Sequence, residues 1–191
     1  MQVTAVGYAG GTSGSPTYRN IGDHTESFQL IYDPKVVSYE DILEVFWSEH
    51  NPFRQGWSTQ YQNIAFYEND KQKDALEKYL KRLGHDGRRV ETRVEPLMSF
   101  TLAEDYHQKH SLRRFPAFLE FLEKHSPGDS WQFTRLATKL NAYLGSNGSC
   151  GALGREVSDF ELPRSLENSL LDIVCSREGR KGESCPVPAR K

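Results

Sequence analysis

The chain has 191 residues and carries 26 acidic and 24 basic side chains, which gives a net charge of −2. This balance offers no electrostatic reason to expect nucleic acid or an anionic membrane as a partner, and the length suits one ordinary domain with an extension. No apolar run reaches the roughly 20 residues of a bilayer span and no signal-peptide pattern opens the chain, so we expect a soluble intracellular protein.

The first predicted elements are two strands separated by a glycine loop. Residues 2–9 are predicted to form a strand that enters an irregular loop at residues 10–16. Alternating apolar side chains predict a second strand over residues 26–32, which ends before Pro34.

A helix is predicted directly after the second strand. Ser38 and Asp41 have the spacing of a capping box. An apolar stripe with helical spacing follows, made of Tyr39, Ile42, Leu43, Phe46 and Trp47. Residues 61–67 are predicted to form the next strand.

The middle of the chain predicts a helix, a short strand and a further helix. Asn69 caps a helix that Gly84 ends, and residues 90–95 are expected to be a short strand. Thr101 and Glu104 predict the start of a third helix.

A proline and a change of composition indicate the structure of the C-terminal part of the chain. Pro116 is expected to interrupt the third helix and to begin a new one, and residues 131–144 form the last predicted long helix. Beyond Gly145 the composition turns polar, so we expect a mobile tail with a short helix around residues 166–174. The whole order of elements is typical of an α+β or α/β sandwich.

Four short segments carry the candidate chemistry. They are Gly7-Tyr8-Ala9-Gly10-Gly11, Asn20-Ile21-Gly22-Asp23-His24-Thr25-Glu26, Thr59-Gln60-Tyr61-Gln62-Asn63-Ile64-Ala65 and Ala103-Glu104-Asp105-Tyr106-His107-Gln108. In this order and spacing the chain resembles the peptide-methionine (S)-S-oxide reductases, the methionine sulfoxide reductase A family, over about residues 3–110. Pro16-Thr17-Tyr18, Val45-Phe46-Trp47 and His50-Asn51-Pro52 fit the same pattern.

The resemblance implies a fold and a division of the chain. The expected fold is α+β, a ferredoxin-like two-layer α/β sandwich with a mixed sheet, without its first strand and helix and with an irregular C-terminal tail. Residues 1–126 would form the reductase-like domain, residues 127–145 an additional helix packed on it, and residues 146–191 a mostly disordered tail.

The resemblance also implies site residues. Reduction of a sulfoxide requires a thiolate that attacks sulfur and a donor of protons to the departing oxygen. Glu26 would be that acid, kept protonated by burial, and Tyr8 and Tyr61 would be flanking hydroxyls. The expected substrate-binding residues are Trp57, His24, Tyr106 and His107.

In the family the nucleophile lies in a Gly-Cys-Phe-Trp segment upstream of the glycine turn, at the head of a helix. That segment is absent here, and Cys150, Cys175 and Cys185 do not match it by position. We expect loss of this strand and helix to expose one flank of the sheet and an apolar stripe. An incomplete sequence and a naturally shortened, folded protein both remain open. A second departure is Trp57-Ser58, where the family commonly has an acidic residue.

Several residues have a structural alternative. His24 and His107 could instead hold loops together, which we prefer, and Trp57 could lie in the pocket wall or on the surface. The spacing of the histidines does not favour a metal site. Cys175 and Cys185 are candidate resolving thiols, or incidental cysteines of a disordered tail, and the odd cysteine count favours a reducing compartment.

The function implied is thiol-dependent reduction of the S epimer of methionine sulfoxide, free or in proteins, as repair of oxidative damage. The reductant would be a thioredoxin-like dithiol, with no bound nicotinamide, flavin or metal, in a monomeric cytoplasmic protein. An upstream targeting segment would change the compartment. The alternatives are a catalytically inactive member that binds sulfoxide or protein, and a fragment without activity.

Overall fold

The computed structural model describes residues 2–126 and 128–182, without the side chains of residues 86, 129 and 179–182. The chain divides into two compact units, Met1–Gln108 and Lys109–Lys191. No helix among the described residues is both long and apolar enough to cross a membrane.

The first unit contains five strands and two helices among its described residues. In chain order they are β1 (Val3–Ala9), β2 (Thr25–Ile31), α1 (Tyr39–Ser48), β3 (Ile64–Tyr67), α2 (Asp70–Leu83), β4 (Arg93–Pro96) and β5 (Phe100–Leu102). A short 3-10 turn at Thr59–Tyr61 precedes β3. The predicted capping box is confirmed, because Ser38 and Asp41 exchange both side chain to backbone hydrogen bonds.

The strands form two small sheets. β1 lies between β2 and β5 and pairs with both in antiparallel fashion, whereas β3 and β4 form a separate parallel pair. The fold is therefore α+β, but the expectation of one mixed sheet is wrong among the described residues. Among the described residues, β2 pairs only with β1 and β3 pairs only with β4. No strand therefore hydrogen-bonds to both sheets.

The core of the first unit lies between α1, α2 and β3. Its buried members are Leu43, Trp47, Ala65, Ala75, Leu76 and Tyr79. The apolar stripe predicted for α1 thus contributes Leu43 and Trp47 to the core. The three-stranded sheet is stabilised by a buried polar side chain. The Gln108 side chain hydrogen-bonds to the backbone of Val6 in β1 and of Ala103 directly after β5.

Residues 101–104 are not the start of a helix. Thr101 lies in β5 directly opposite Tyr8, and the chain then makes only short 3-10 turns, one of them at Asp105–His107. Long-range pairing with β1 here overrides the local capping pattern of Thr101 and Glu104. The prediction that Pro116 begins a helix is confirmed, but the helix that it was expected to interrupt is not found among the described residues.

The second unit is helical. Its helices are α3 (Pro116–His125), α4 (Arg135–Leu144), α5 (Cys150–Glu156) and α6 (Arg164–Gly182). They share a buried apolar cluster whose fully buried members are Leu112, Ala137, Leu140, Leu144, Leu153 and Leu170.

The expected disordered tail is wrong for residues 150–182, which form α5 and α6. Two features account for their order. Leu153, Phe160, Leu170 and Val174 are buried in the apolar cluster, and Cys150 is joined to Cys175 by a disulfide with a Cα–Cα distance of 4.8 Å. The short helix predicted at residues 166–174 is part of the longer α6.

Candidate functional site

The glycine loop after β1 is held by a carboxylate and a buried imidazole. Asp23 accepts hydrogen bonds from the Thr12 and Ser13 backbone N–H groups at 2.8 and 3.0 Å, and these bonds hold the pKa of its carboxyl below the usual range. Nε2 of His24, a buried side chain, lies 2.8 Å from the Ser13 carbonyl oxygen. His24 therefore stabilises the loop, in agreement with the structural alternative for this residue.

Tyr8 and Glu26 lie directly opposite one another on β1 and β2, so their side chains share one face of the sheet. Tyr8 is 1 % exposed. Glu26 is exposed, because β2 is an edge strand, and its Oε1 accepts a hydrogen bond from Nε2 of Gln60 at 2.5 Å. The expectation that Glu26 is a buried acid is therefore wrong, although its position beside Tyr8 is as expected.

A second carboxylate contacts Tyr8. The Tyr8 hydroxyl donates to Oε2 of Glu104 at 2.7 Å, and the Tyr18 backbone N–H donates to Oε1 at 3.0 Å. Burial, followed by the bond to Glu104, raises the pKa of the Tyr8 hydroxyl well above its usual range. The same bond lowers the pKa of the Glu104 carboxyl. The pair is therefore held as phenol and carboxylate.

A cavity of about 290 Å³ lies beside the Tyr8 side chain. Tyr8, Tyr18, Glu26, Phe28 and His107 are among the residues that line it. The His107 ring stacks obliquely on Tyr18, with ring centroids 4.6 Å apart. Its Nε2 atom is buried and has no hydrogen-bond partner among the described residues. The cavity thus combines an apolar wall, a carboxyl group and an unengaged imidazole nitrogen.

The remaining predicted site residues, Tyr61, Trp57 and Tyr106, are not among the described residues that line the cavity. Tyr61 is 44 % exposed and is outside the set of described residues that line the cavity. Burial and the neighbouring Glu26 and Tyr18 side chains raise the pKa of its hydroxyl. Trp57 is 87 % exposed and touches Tyr61 with a ring distance of 5.8 Å, so it lies on the surface. Tyr106 is about half exposed and packs on His107.

Sequence reasoning missed two members of the site, Glu104 and Tyr18. Both lay within segments already recognised, but Glu104 was assigned only to a helix cap and Tyr18 was given no role. A carboxylate that fixes the Tyr8 hydroxyl could have been suspected only from the pairing of β1 with β5, which places residues 8 and 101 opposite each other.

No thiol is found in residues 1–126, since the chain has cysteine only at positions 150, 175 and 185. Cys150 and Cys175 are bonded to each other, and Cys185 lies outside the described residues. Within the described part of the chain, no group of three or more histidine, cysteine, aspartate or glutamate side chains is arranged to hold a metal ion.

Comparison with known proteins assigns this arrangement to a family. The sequence profile of the family described as "Peptide methionine sulfoxide reductase" matches residues 1–126. The chain belongs to the peptide methionine sulfoxide reductase family. The matched residues include every strand of the structure and the Tyr8, Glu26, Glu104 and His107 cluster.

Individual members of the methionine sulfoxide reductase family are similar over most of the chain. Peptide methionine sulfoxide reductase A5 of Oryza sativa subsp. japonica is 37% identical over 147 residues, which are 73% of this chain and 58% of the relative. A peptide methionine sulfoxide reductase of Drosophila melanogaster is 37% identical over 185 residues, covering 93% of this chain and 72% of the relative.

A solved structure has a similar fold. The crystal structure of Mxr1 from Saccharomyces cerevisiae in reduced form superposes with a TM-score of 0.54 at 28% identity, over 60% of this chain and 73% of that one. The chain spans 58% of the length of the plant A5 relatives that it matches.

Proposed function

We propose that this chain takes part in peptide-methionine (S)-S-oxide reduction, with the sulfoxide bound in the cavity between Tyr8, Glu26 and His107. The observation that carries the proposal is the convergence of these three side chains on one cavity within the family-matched residues. A sulfoxide oxygen is a strong hydrogen-bond acceptor, and we expect it to bind Nε2 of His107, which has no hydrogen-bond partner among the described residues and lies 4.0 Å from Oε2 of Glu104. Phe28 offers an apolar surface for the thioether substituents.

We assign delivery of the proton for the departing oxygen to Glu26, whose exposed carboxyl would take that proton from solvent. Its carboxyl shares the cavity with Tyr8, and the Gln60 amide holds its Oε1 atom in place. The attacking group must be a thiolate other than a cysteine of residues 1–126, because these residues contain none. A thioredoxin-like dithiol is the proposed final reductant, and the proposed substrate is methionine sulfoxide, free or in proteins.

A binding role without turnover is the second candidate, and the lack of a thiol in the family-matched residues favours it. Such a protein would recognise oxidised methionine but leave it unchanged, since binding alone does not lower the barrier of the chemical step. Both candidate functions predict that methionine sulfoxide binds in this cavity. Only the reductase is expected to form the thioether product.

One experiment tests the cavity and separates the two candidates. Peptides carrying the S or the R epimer of methionine sulfoxide are titrated into the purified chain, and each mixture is then incubated with dithiothreitol and analysed for thioether. Saturable binding of the S epimer with thioether formation supports the reductase, and binding without thioether supports the binding protein. Equal weak binding of both epimers would reject the cavity as the sulfoxide site.

Variants assign the binding to this cavity. We expect His107→Ala and Glu26→Ala each to weaken binding of the S epimer at least several-fold, because each removes a polar side chain from the cavity. His85→Ala is the matched control, since His85 is exposed and bonds to the Arg82 carbonyl oxygen in α2. Identical affinities of the three variants would contradict the assignment.

A further inference from the structure

The connection between α4 and α5 carries a sequence pattern that the proposed function does not use. It consists of residues 145–149, here called the α4–α5 loop, and contains Asn147-Gly148-Ser149. Asparagine followed two residues later by serine or threonine, with any residue except proline between them, is the acceptor pattern for N-linked glycans. Asn147 is the only asparagine of the sequence that meets this condition.

The α4–α5 loop presents the acceptor residue to solvent. Residues 146–149 are all exposed. The backbone of Asn147 is fixed, since its N–H group donates to the Ala142 carbonyl oxygen at 2.9 Å. Its side-chain nitrogen makes only a long contact, 3.5 Å from the Gly145 carbonyl oxygen. The folded chain therefore leaves room for a bulky substituent on this amide nitrogen.

Two of the three pattern residues have a structural role, and Asn147 has none of comparable weight. Gly148 has a φ of +130°, and a Cβ atom there would lie 2.5 Å from the Tyr143 ring, so the fold requires glycine. Ser149 is the N-cap of α5, because its hydroxyl accepts a hydrogen bond from the Ala152 N–H group. Asn147 is not among the residues with positive φ and caps no helix. An amide at position 147 is thus required by an N-linked glycan rather than by the fold.

A disulfide beside the α4–α5 loop indicates the environment in which glycans are added. Cys150 follows Ser149 directly and is bonded to Cys175, and both cysteines are only half-buried. Disulfides persist in oxidising compartments and are rare where cellular reductants keep thiols reduced. N-linked glycans are likewise a feature of secreted proteins. The loop and the disulfide therefore agree with each other, whereas the odd cysteine count led to the expectation of a reducing compartment.

We propose that Asn147 carries an N-linked glycan, transferred from a lipid-linked oligosaccharide diphosphate. In this step Nδ2 of Asn147 forms a bond to the anomeric carbon of the first sugar, and the bond from that carbon to the diphosphate oxygen breaks. The lipid diphosphate leaves with the electron pair, and Nδ2 gives up one proton to a base of the transferase. The proposal does not depend on the proposed function, since the α4–α5 loop lies outside the family-matched residues 1–126.

Mass spectrometry of the protein isolated from the cells that produce it tests the proposal. The reduced and alkylated protein is digested with trypsin, which releases residues 140–155 as one peptide, and is then treated with peptide-N-glycosidase in heavy-oxygen water. This enzyme converts a glycosylated asparagine into aspartate, so position 147 should become aspartate with one heavy oxygen. Asn141 of the same peptide lacks the pattern and should remain asparagine. A sample incubated without the enzyme measures spontaneous deamidation of Asn147 during the treatment.

Variants secreted behind a cleavable signal peptide assign the glycan to Asn147. The unmodified chain should migrate in gel electrophoresis as a larger species, which peptide-N-glycosidase converts into a smaller one. Asn147→Gln and Ser149→Ala should each abolish this size difference, whereas Ser149→Thr should keep it, because threonine also completes the pattern. Asn168→Gln is the matched control, since Asn168 is exposed on α6 and is not followed by the pattern. It should retain the size difference.

Several outcomes would overturn the proposal. Asparagine at position 147 in the protein from its own cells would reject the glycan, even if the secreted chain were modified. Aspartate without heavy oxygen at that position would show spontaneous deamidation instead. A secreted chain that is folded by circular dichroism but shows no size difference would reject Asn147 as an acceptor, and a glycan retained in Asn147→Gln would place the modification at another residue.

Discussion

The Tyr8 hydroxyl donates its single proton to the Glu104 carboxylate, 2.7 Å away, and therefore does not offer that proton to a ligand in the adjacent cavity. A phenol has one donor, so a role of Tyr8 as donor to the sulfoxide oxygen requires that this bond first be exchanged. In the arrangement described, Tyr8 forms part of the cavity wall. Nε2 of His107, also in that wall, has no hydrogen-bond partner among the described residues and lies 4.0 Å from Oε2 of Glu104.

The Tyr8 and Glu104 pair predicts a pH-dependent contribution to stability. The folded pKa of Glu104 is lowered, so its contribution is fully present above the unfolded value near 4.5 and is lost as pH falls through the folded pKa. We expect Glu104→Gln to lower the free energy of unfolding by about 1 kcal/mol at pH 7, with a smaller difference below pH 4.

Urea unfolding between pH 3 and 7 measures this contribution. Glu120→Gln makes the same chemical change at an exposed position of α3 and should leave the unfolding free energy nearly unchanged. A Glu104→Gln effect that is constant over this pH range would contradict the carboxylate assignment.

Gly56 is predicted to be intolerant of any side chain. A Cβ atom at this position would lie 1.7 Å from the Tyr61 carbonyl oxygen, so the backbone that carries Tyr61 would have to move. We expect Gly56→Ala to lower the free energy of unfolding by about 2–3 kcal/mol. Gly14→Ala is the control, because a Cβ there meets nothing within 4 Å, and thermal unfolding compares the two variants. Similar melting temperatures of Gly56→Ala and Gly14→Ala would contradict this prediction and would show that the backbone near Tyr61 can move to accommodate the side chain.

Lys109 predicts a rise of stability with pH. Burial lowers the pKa of its ammonium group from 10.5 to about 8, so between these values the unfolded chain binds more protons than the folded one. The free energy of unfolding should therefore increase from pH 8 to 10.5, by at most about 3 kcal/mol. Lys109→Met should abolish this increase relative to the unmodified chain.

Lys124→Met is the comparison for Lys109, since Lys124 is exposed on α3. Its unfolding free energy should follow that of the unmodified chain from pH 8 to 10.5. If Lys109→Met retained the full pH-dependent increase, the increase would belong to other groups.

The disulfide between Cys150 and Cys175 is predicted to stabilise the helical second unit. It closes a loop with a sequence separation of 25 residues, for which restriction of the unfolded chain corresponds to about 3 kcal/mol. Reduction should lower the melting temperature, as should the double variant Cys150→Ser with Cys175→Ser. The melting temperature of the double variant should then be insensitive to a phosphine reductant. If the reductant still lowered the melting temperature of the double variant, the effect of reduction would not come from the disulfide between Cys150 and Cys175.

Local patterns predicted the elements whose structure is decided locally. The capping box of Ser38 and Asp41 and the helix start at Pro116 depend on neighbouring residues and were correct. Thr101 carried a helix signal but lies in β5, because its pairing with Tyr8 is a long-range interaction that no local pattern contains.

The same limit applies to the site and to the tail. The family resemblance grouped Tyr8 with Glu26, and the two residues lie opposite each other because β1 and β2 pair in antiparallel fashion. The exposure of Glu26 was missed, since it depends on which strands flank β2. Residues 150–182 are folded because of a disulfide and because Leu153 and Leu170 are buried. Neither feature could be predicted from the polar composition of this segment.

Gln108 has a consequence for chemical ageing of the protein. Its side-chain oxygen accepts from the Val6 N–H group, while its nitrogen donates to the carbonyl oxygens of Val6 and Ala103. Deamidation would replace that nitrogen by oxygen and would set a carboxylate against two carbonyl groups at a position 1 % exposed. Loss of one ammonia molecule would thus remove the two hydrogen bonds that the Gln108 nitrogen donates to Val6 and Ala103, and the burial that makes the change damaging also keeps water away from the amide.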